Sequence, residues 1–217
     1  MTNLPIKPIL NGNDYYQKVP RDEALNKNWP ATPIILSVGA IKPRKGYHLS
    51  LRGFARLKKT VPAARYWIVG EFERKKYYQE LRQFIEDNRI EDVEFLGKVS
   101  AERLKQCYQE ASLFLLAPQQ VGLHFEGFGL VYLEAGAFGL PVVGTKTGGV
   151  PSAIKEGETG LIVDPEDVDG LAGALECILT NPELARQMGL ANRNWSETLT
   201  WQRNAREQYQ VYQELLP

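Results

Sequence analysis

The sequence predicts an α/β fold in which helices cover both faces of a Rossmann-like, doubly wound parallel sheet. Two observations lead to this class. Short runs of β-branched and aromatic residues recur along the chain, and segments with the period of an amphipathic helix separate them. Strands and helices that alternate in this way form βαβ units, whose right-handed crossovers place helices on both faces of the sheet. A ligand of such a sheet binds at the carboxyl ends of its strands.

The predicted elements follow one another in a regular order. Strands are predicted at 34–39, 64–70, 93–97, 112–117, 141–144 and 160–163. Helical periodicity covers 46–60, 74–88, 100–110, 130–138, 167–180 and 182–194. A last helix over 200–216 places on one face Trp201, Ala205, Tyr209, Tyr212 and Leu216. We therefore divide the chain into a hinge or linker segment at 1–33, which holds five prolines, a Rossmann-like domain at 34–197 and an amphipathic C-terminal helix at 198–217.

The composition excludes several classes of protein. Lysine plus arginine equals aspartate plus glutamate, 26 each, so no overall field attracts the chain to nucleic acid or an anionic membrane. Cys107 and Cys177 are too few and too far apart for a disulfide framework or a zinc site, which predicts a cytoplasmic protein without a metal. The longest apolar runs, such as 113–117, are far too short to cross a membrane.

Two carboxylates stand on either side of a glycine turn in the stretch HFEGFGLVYLEAGAFG. Glu126 precedes the Gly-Phe-Gly turn, and Glu134 lies about one turn inside the helix that starts near Leu130. A helix that begins after such a turn offers unpaired N–H groups to an anion such as a diphosphate. We interpret Glu126 as the acceptor of hydrogen bonds from a sugar and Glu134 as the acceptor from a ribose. Taken alone, however, the spacing favours a capping acid and a solvated helix residue.

Other loops at strand ends carry weaker signals. The loop after the first strand contains three cations, Lys42, Arg44 and Lys45. Its sequence matches neither a P-loop nor a GxGxxG turn. The cations either bind phosphate oxygens or belong to an exposed basic loop without a ligand. The turns near Gly70 and Lys98–Val99 allow backbone to approach a flat base, although ordinary turns explain them equally well. The backbone at Gly148 and Gly149 either approaches the sugar or forms an ordinary connection between elements.

The two histidines lack the neighbours of a catalytic triad. Neither His48 nor His124 has a carboxylate or serine at a suitable spacing. A structural role is therefore favoured for both. His124 is the better candidate for a direct role, since it stands two residues before Glu126.

The motifs together resemble a known family. The chain resembles the C-terminal, donor-binding half of GT-B fold retaining glycosyltransferases of family 4, the glycosyl transferases group 1. The motifs that carry this resemblance are, in order along the chain, PILNGND, SVGAIKPRKG, WIVGE, VEFLGKVS, the ExxxxxxxE pair and GLPVVGTKTGGVPSAIKEGETGLIVDPED. The resemblance runs through nearly the whole chain. Because all the motifs occur in the family's order, we now favour ligand-binding roles for Glu126 and Glu134 over a capping acid and a solvated helix residue.

The resemblance implies roles for individual residues. Glu126 would contact the donor sugar and Lys45 the diphosphate, and these two are the predicted catalytic residues. Glu134 would bind the ribose, and the backbone of Gly129 and Leu130, with the adjoining Phe128, would face the donor. The donor would be a UDP-, GDP- or ADP-linked sugar, and a hexosyl group would be transferred with retention and without a cofactor or metal.

Two departures from the family pattern qualify this expectation. Many members have arginine, a phosphate ligand, where this chain has Ala40, so either Lys42 or Arg44 substitutes or donor binding is weaker. The family's N-terminal acceptor domain has no counterpart here, so we expect the chain to need that domain or a partner chain for catalysis. The alternative is a non-catalytic module that binds a nucleotide sugar or another protein on the same fold. A phosphorylase-like relative is less favoured, because no lysine has a defensible pyridoxal-binding context.

Overall fold

The structure is a computed structural model that describes residues 8–25 and 30–215. Within them, six strands form one parallel sheet in the order β3-β2-β1-β4-β5-β6. The strands are β1 (Ile34–Val38), β2 (Arg65–Val69), β3 (Val93–Gly97), β4 (Leu113–Leu115), β5 (Val142–Thr145) and β6 (Gly160–Val163). The predicted fold class is confirmed, and each strand lies within two residues of its predicted bounds.

The helices are α1 (Arg21–Leu25), α2 (Tyr47–Leu57), α3 (Lys75–Asp87), α4 (Ala101–Glu110), α5 (Leu130–Ala137), α6 (Val150–Ala153), α7 (Val168–Leu179), α8 (Pro182–Thr198) and α9 (Trp201–Leu215). The strand order runs outward from β1 to β3 and, in the opposite direction, from β4 to β6. Right-handed crossovers therefore place α2 and α3 on one face and α5 and α6 on the other. The helix contacts agree, because α2 contacts α3 and α5 contacts α6.

Central strands are buried on both faces. The side chains of β4 are fully enclosed, and those of β1 are buried from Ile34 to Ser37. Such strands are continuous apolar runs rather than alternating ones, because helices cover both sides of the sheet. The sequence therefore reveals them without any period of two.

Buried tyrosines fix the carboxyl ends of the two central strands. The Tyr47 hydroxyl donates to the carbonyl of Gly39 at 2.6 Å, directly after β1. The Tyr132 hydroxyl donates to the carbonyl of Leu116 at 2.7 Å, directly after β4. Both tyrosines are inaccessible to solvent, and a buried hydroxyl is stable only with such a partner. Helices α2 and α5 thus hold the loops from which a site at this edge is built.

The described part of the predicted linker packs on the domain. Residues Tyr15–Lys18 form a 3₁₀ turn, and Val19 is buried in the core. The Arg193 guanidinium of α8 donates to the carbonyls of Tyr16 and Val19, each at 3.0 Å. The division of the chain at residue 33 stays a prediction, and residues 1–7 lie outside the described part.

A clasp joins the N-terminal segment to the end of α8. The Asn13 side chain donates to the carbonyls of Ser196 and Leu199, each at 2.9 Å, and the Asn13 N–H donates to the Leu199 carbonyl at 2.8 Å. Nearby, the Asn204 side chain of α9 donates to the carbonyl of Leu10 at 2.9 Å. Asn13 is 4% exposed, so these bonds are shielded from water.

The apolar face of α9 is exposed in part. Trp201, Tyr209 and Tyr212 are 42%, 62% and 58% exposed, and Leu216 of the predicted stripe lies outside the described residues. A helix of this length that leaves aromatic rings in water gains little from burial.

Candidate functional site

The candidate site lies where the direction of winding reverses. Strands β1 and β4 are neighbours in the sheet, but their crossovers leave in opposite directions, so the loops that follow them diverge and open a crevice. The loops meet at its base. Gly46 has a φ of +70°, and a Cβ there would lie 1.6 Å from the carbonyl oxygen of Ala117. Only glycine fits this position, so the close approach of the two loops requires the glycine that follows Lys45.

Two cations of the β1 loop converge on one carboxylate of the β4 loop. The Lys45 ammonium lies 2.6 Å from Oε2 of Glu126, and Nη1 of Arg44 lies 2.9 Å from the same oxygen. Glu126 is 8% exposed, so the ion pairs lie largely out of water. Charged hydrogen bonds in such a setting are stronger than at the surface. The structure thus brings Glu126 to two other predicted site residues, Arg44 and Lys45, which lie 82 and 81 positions away in the chain.

Helix α5 begins directly beyond this cluster. Gly129 caps it with a φ of +83° and without any side-chain hydrogen bond to the first turn. The N–H groups at Leu130 and Val131 therefore remain available to an anion, and the helix dipole adds positive potential there. The Phe128 ring is buried in the core, so only its backbone belongs to the turn.

Glu134 lies one turn further along α5. The Tyr108 hydroxyl donates to Oε2 of Glu134 at 3.1 Å. Burial raises the pKa of the Glu134 carboxyl, while the Tyr108 hydrogen bond and the positive charges of Lys18 and Lys45 oppose this rise. Tyr15 is also close, since the carboxylate adds to the effect of burial in raising the pKa of its hydroxyl. Sequence reasoning missed these neighbours of Glu134, because they come from distant parts of the chain.

Gly148 and Gly149 support the loop that carries Glu126. The Gly149 N–H donates to the Glu126 carbonyl at 2.9 Å. A Cβ on Gly148 would lie 2.1 Å from that carbonyl oxygen, and a Cβ on Gly149 would lie 1.9 Å from the Gly127 oxygen. The sequence predicted backbone contact with a sugar, and the structure shows direct contact with the acidic loop.

The loops proposed for a base lie at the ends of β2 and β3. Gly70 donates its N–H to the Gly97 carbonyl at 2.9 Å, and a Cβ on Gly70 would lie 1.9 Å from the Gly39 oxygen. Lys98 is exposed and Val99 is half-buried. These loops therefore adjoin the β1 loop, on the side of the sheet away from β4.

A group of aromatic rings next to these loops escaped the sequence analysis. The Phe72 and Tyr78 ring centroids are 4.3 Å apart, and those of Tyr78 and Phe95 are 5.1 Å apart. Phe72 is 41% exposed and approaches Gly97. The sequence signal that indicates a place for Phe72 near the predicted base-binding loops is its position two residues after Gly70.

Comparison with known proteins identifies the family. The family model of glycosyl transferases group 1 matches residues 21–195. The chain belongs to this family. A GDP-mannose-dependent alpha-(1-6)-phosphatidylinositol monomannoside mannosyltransferase of Mycolicibacterium smegmatis is 35% identical over 167 residues, which are 76% of this chain and 43% of that enzyme. A glycogen synthase of Mycobacterium tuberculosis is 31% identical over 179 residues, 82% of this chain and 42% of the relative. This glycosyltransferase chain thus spans less than half the length of these relatives.

Solved structures of glycosyltransferases share the fold. HepE of Anabaena, solved in complex with UDP-glucose, matches with a TM-score of 0.78 and 21% identity over 95% of this chain and 57% of its own. The C-terminal domain of LpcC, a glycosyl transferase group 1 protein of Francisella tularensis, matches with a TM-score of 0.72 and 22% identity over 86% of this chain and 97% of its own. The predicted fold, the C-terminal half of the GT-B fold, is therefore confirmed.

Lys42 and His48 of the glycosyltransferase domain have side-chain partners outside the Glu126 cluster. The Lys42 ammonium lies 2.8 Å from Glu73, so Arg44 and not Lys42 accompanies Lys45 at Glu126. His48 bonds through its two ring nitrogens to Tyr77 at 2.9 Å and Gln119 at 2.7 Å. Burial lowers the pKa of His48. His124 is exposed in a hairpin turn.

The described part of the chain contains neither a candidate metal site nor a candidate membrane-spanning helix. Residues 8–25 and 30–215 contain no group of three or more histidine, cysteine and acidic side chains that could hold a metal ion. None of their helices is long and apolar enough to cross a membrane.

Proposed function

We propose that this domain binds the nucleotide-sugar donor of a retaining glycosyltransferase, which transfers a hexosyl group to an acceptor. One observation carries the proposal: Lys45 and Arg44 meet Glu126 at the switch point of the sheet, under the free N-terminus of α5. Cations next to unpaired backbone N–H groups suit a diphosphate. The two carboxylates near these cations, Glu126 and Glu134, suit the hydroxyls of a sugar and a ribose.

Each group then has one role. Lys45, Arg44 and the N-terminus of α5 bind the diphosphate, and Glu134 accepts hydrogen bonds from the ribose. Glu126 accepts hydrogen bonds from the sugar. Its two cations take over the phosphate charge when the donor binds, which releases the Glu126 carboxylate to the sugar hydroxyls. Donor binding is therefore an exchange of one anionic partner for another.

Transfer requires stabilisation of the departing nucleotide diphosphate. Lys45, Arg44 and the α5 dipole lie where that negative charge would develop, so they lower the barrier without a bound metal. The sugar passes through an oxocarbenium-like state, and the acceptor attacks the face from which the diphosphate leaves. The acceptor site belongs, in this proposal, to an N-terminal domain or a partner chain. A cytoplasmic location stays a prediction.

Calorimetric titration tests donor binding. We expect the chain to bind one member of the series UDP, GDP and ADP and its sugars. Lys45→Ala and Glu134→Ala should each weaken binding by about tenfold or more, since each removes a charged hydrogen-bonding partner of the ligand. Lys59→Ala, which removes an exposed lysine at the opposite edge of the sheet, is the matched control. No binding of any nucleotide, or equal binding by all variants, would contradict the proposal.

Retention and turnover need a second experiment with the acceptor-binding part supplied. Proton NMR of the first product formed distinguishes retained from inverted anomeric configuration. An inverted product contradicts the retaining mechanism. Nucleotide binding without any transfer favours the non-catalytic module.

A further inference from the structure

The His48 ring bridges two elements that are distant in the sequence. His48 lies in the first turn of α2 and is half-buried. Its Nδ1 lies 2.9 Å from the hydroxyl oxygen of Tyr77 in α3, and its Nε2 lies 2.7 Å from Oε1 of Gln119 in the β4 loop. The ring therefore connects α3 to the β4 loop across the start of α2.

These hydrogen bonds determine which ring nitrogen carries the proton. Because the Gln119 oxygen only accepts, Nε2–H is the donor. The backbone N–H of His48 donates to the Tyr77 hydroxyl at 3.2 Å, which leaves the proton of that hydroxyl for Nδ1. Burial lowers the pKa of His48 and Arg52 adds to this effect, whereas the Gln119 hydrogen bond and Glu166 oppose it. The ring is therefore neutral near pH 7, with Nε2 as donor and Nδ1 as acceptor.

Gln119 extends this connection to the cations of the candidate site. Its backbone N–H donates to the Arg44 carbonyl at 2.9 Å, so one residue contacts the histidine through its side chain and the β1 loop through its backbone. Gln119 is 9% exposed, which shields both bonds from water. The Arg44 guanidinium in turn lies 2.9 Å from Glu126. A chain of hydrogen bonds thus leads from Tyr77 to the Arg44–Glu126 ion pair.

The hydrogen bond of Gln119 complements the contact at Gly46. Gly46 touches the Ala117 carbonyl, but contact at one point does not fix the angle between two loops. The bond from Gln119 to Arg44 supplies a second point. A glutamine side chain loses much conformational freedom when it is held in one rotamer, so it needs a partner that selects that rotamer. The His48 ring supplies this partner.

We propose that His48 is a positioning residue of the donor site. Its Nε2–H bond holds Gln119, and Gln119 holds the backbone of Arg44 where the guanidinium meets the diphosphate. The inference rests on the proposed function, because it describes an effect on a cation that binds the donor. His48 acts through Gln119 and Arg44 and is not a catalytic residue.

Two substitutions at position 48 separate the two bonds of the ring. The amide nitrogen of Gln stands as far along the side chain as Nε2 of histidine, and the amide oxygen of Asn stands as far along as Nδ1. His48→Gln therefore retains a donor for Gln119 and loses the acceptor for Tyr77, whereas His48→Asn does the reverse. Each variant loses one hydrogen bond, so we expect similar decreases in melting temperature.

Calorimetric titration with UDP, GDP and ADP measures the effect on the site. For the nucleotide that the unmodified chain binds, we expect His48→Asn to weaken binding by about fivefold and His48→Gln by less than about twofold. Gln119→Met removes the acceptor but keeps the length of the side chain, and it should weaken binding as His48→Asn does. A purely structural histidine predicts equal affinities for the two variants at position 48.

NMR spectroscopy tests the bridge without any ligand. Proton–nitrogen correlation spectra of the ring distinguish the tautomers, and we expect Nε2–H with an unprotonated Nδ1 near pH 7. Gln119→Glu keeps an acceptor opposite Nε2–H and adds a negative charge, so the pKa of His48 should rise relative to that in the unmodified chain. Gln202→Glu places the same charge on the exposed face of α9 and should leave the pKa of His48 unchanged.

The outcomes separate failure of this role from failure of the donor proposal. If the unmodified chain binds a nucleotide, then equal affinities of His48→Asn and His48→Gln, or weaker binding by His48→Gln, contradict the role of His48 alone. A proton on Nδ1 instead of Nε2, or an unchanged His48 titration in Gln119→Glu, contradicts the bridge itself. Absence of nucleotide binding by the unmodified chain contradicts the donor proposal, and the role of His48 fails with it.

Discussion

At the scale of single residues, the central feature is that Glu126 shares one oxygen between two cations. Lys45 and Arg44 lie 2.6 and 2.9 Å from Oε2 of Glu126, so one carboxylate compensates only part of the charge of two cations. A diphosphate must compete with Glu126 for both cations. The carboxylate proposed to hold the sugar therefore opposes the binding of the nucleotide that carries it.

This competition yields a prediction about Glu126→Gln. We expect the variant to bind the free nucleoside diphosphate more tightly than the unmodified chain, by roughly threefold to tenfold, because Lys45 and Arg44 lose their anionic competitor. Calorimetric titration measures the change. Glu73→Gln, at the partner of Lys42, is the control and should leave the affinity unchanged. Weaker binding by Glu126→Gln would show that the carboxylate organises the cations instead of competing with the phosphate.

A second prediction concerns Glu134 and pH. Because the folded-state pKa of Glu134 is raised, the folded protein favours the protonated carboxyl and is penalised when it ionises. As the pH rises above the unfolded-state pKa of about 4.3 and through the raised folded-state pKa, the free energy of unfolding falls relative to that of Glu134→Gln. Urea titrations of both proteins at a series of pH values measure this difference. A difference for Glu134→Gln that stays constant with pH would contradict the argument.

At the scale of elements, the close approach of the β1 and β4 loops depends on backbone without side chains. Gly46 combines a positive φ with contact at Ala117, and Gly148 and Gly149 press against the loop of Glu126. The precision of the site therefore rests on three glycines whose lack of a side chain allows these loops to touch.

Gly46→Ala tests this dependence. We expect a loss of about 2–4 kcal/mol in the free energy of unfolding, because a Cβ 1.6 Å from the Ala117 oxygen forces the two loops apart. Gly122→Ala is a matched control, since its φ is +59° but no atom lies within 4 Å of the added Cβ. Its cost should be about 1 kcal/mol, from the backbone conformation alone. Urea denaturation measures both losses. Equal losses in the two variants would show that the loops move away from the added Cβ at a small cost in the free energy of unfolding.

Elements were predictable where their signal is local. The strands are apolar runs bounded by turn residues, and the N-terminus of α5 follows a glycine turn, so the sequence alone identifies both. The 3₁₀ turn at Tyr15–Lys18 was not predicted, because Arg193 holds it from 174 to 177 residues away. Likewise, the approach of Lys45 to Glu126 follows from the fold class, whereas the Tyr108 contact with Glu134 depends on side-chain packing between helices.

At the scale of the whole molecule, charge balance and exposed aromatic surface act together. The chain has a formal net charge of +0 and a sequence pI of about 6.8, so repulsion between molecules is weakest near neutral pH. The exposed face of α9 then offers an apolar patch for association.

We therefore predict that Tyr209→Ser/Tyr212→Ser raises solubility near neutral pH. The two rings are more than half exposed, so their removal should leave the unfolding temperature nearly unchanged. Static light scattering as a function of concentration measures association, and circular dichroism measures the melting temperature. Leu190→Ser, at a single exposed apolar residue of α8, should have a smaller effect. Unchanged scattering in the double variant would assign association to another surface.

The clasp at Asn13 has a consequence for the kinetics of folding. Its bonds to Ser196 and Leu199 join positions up to 186 residues apart, so they form only after nearly the whole chain has been ordered. Interactions made after the rate-limiting step slow unfolding and leave the folding rate almost unchanged. We expect the clasp to form late in folding. It therefore lowers the unfolding rate, and so prolongs the lifetime of the folded domain, but has little influence on the folding rate.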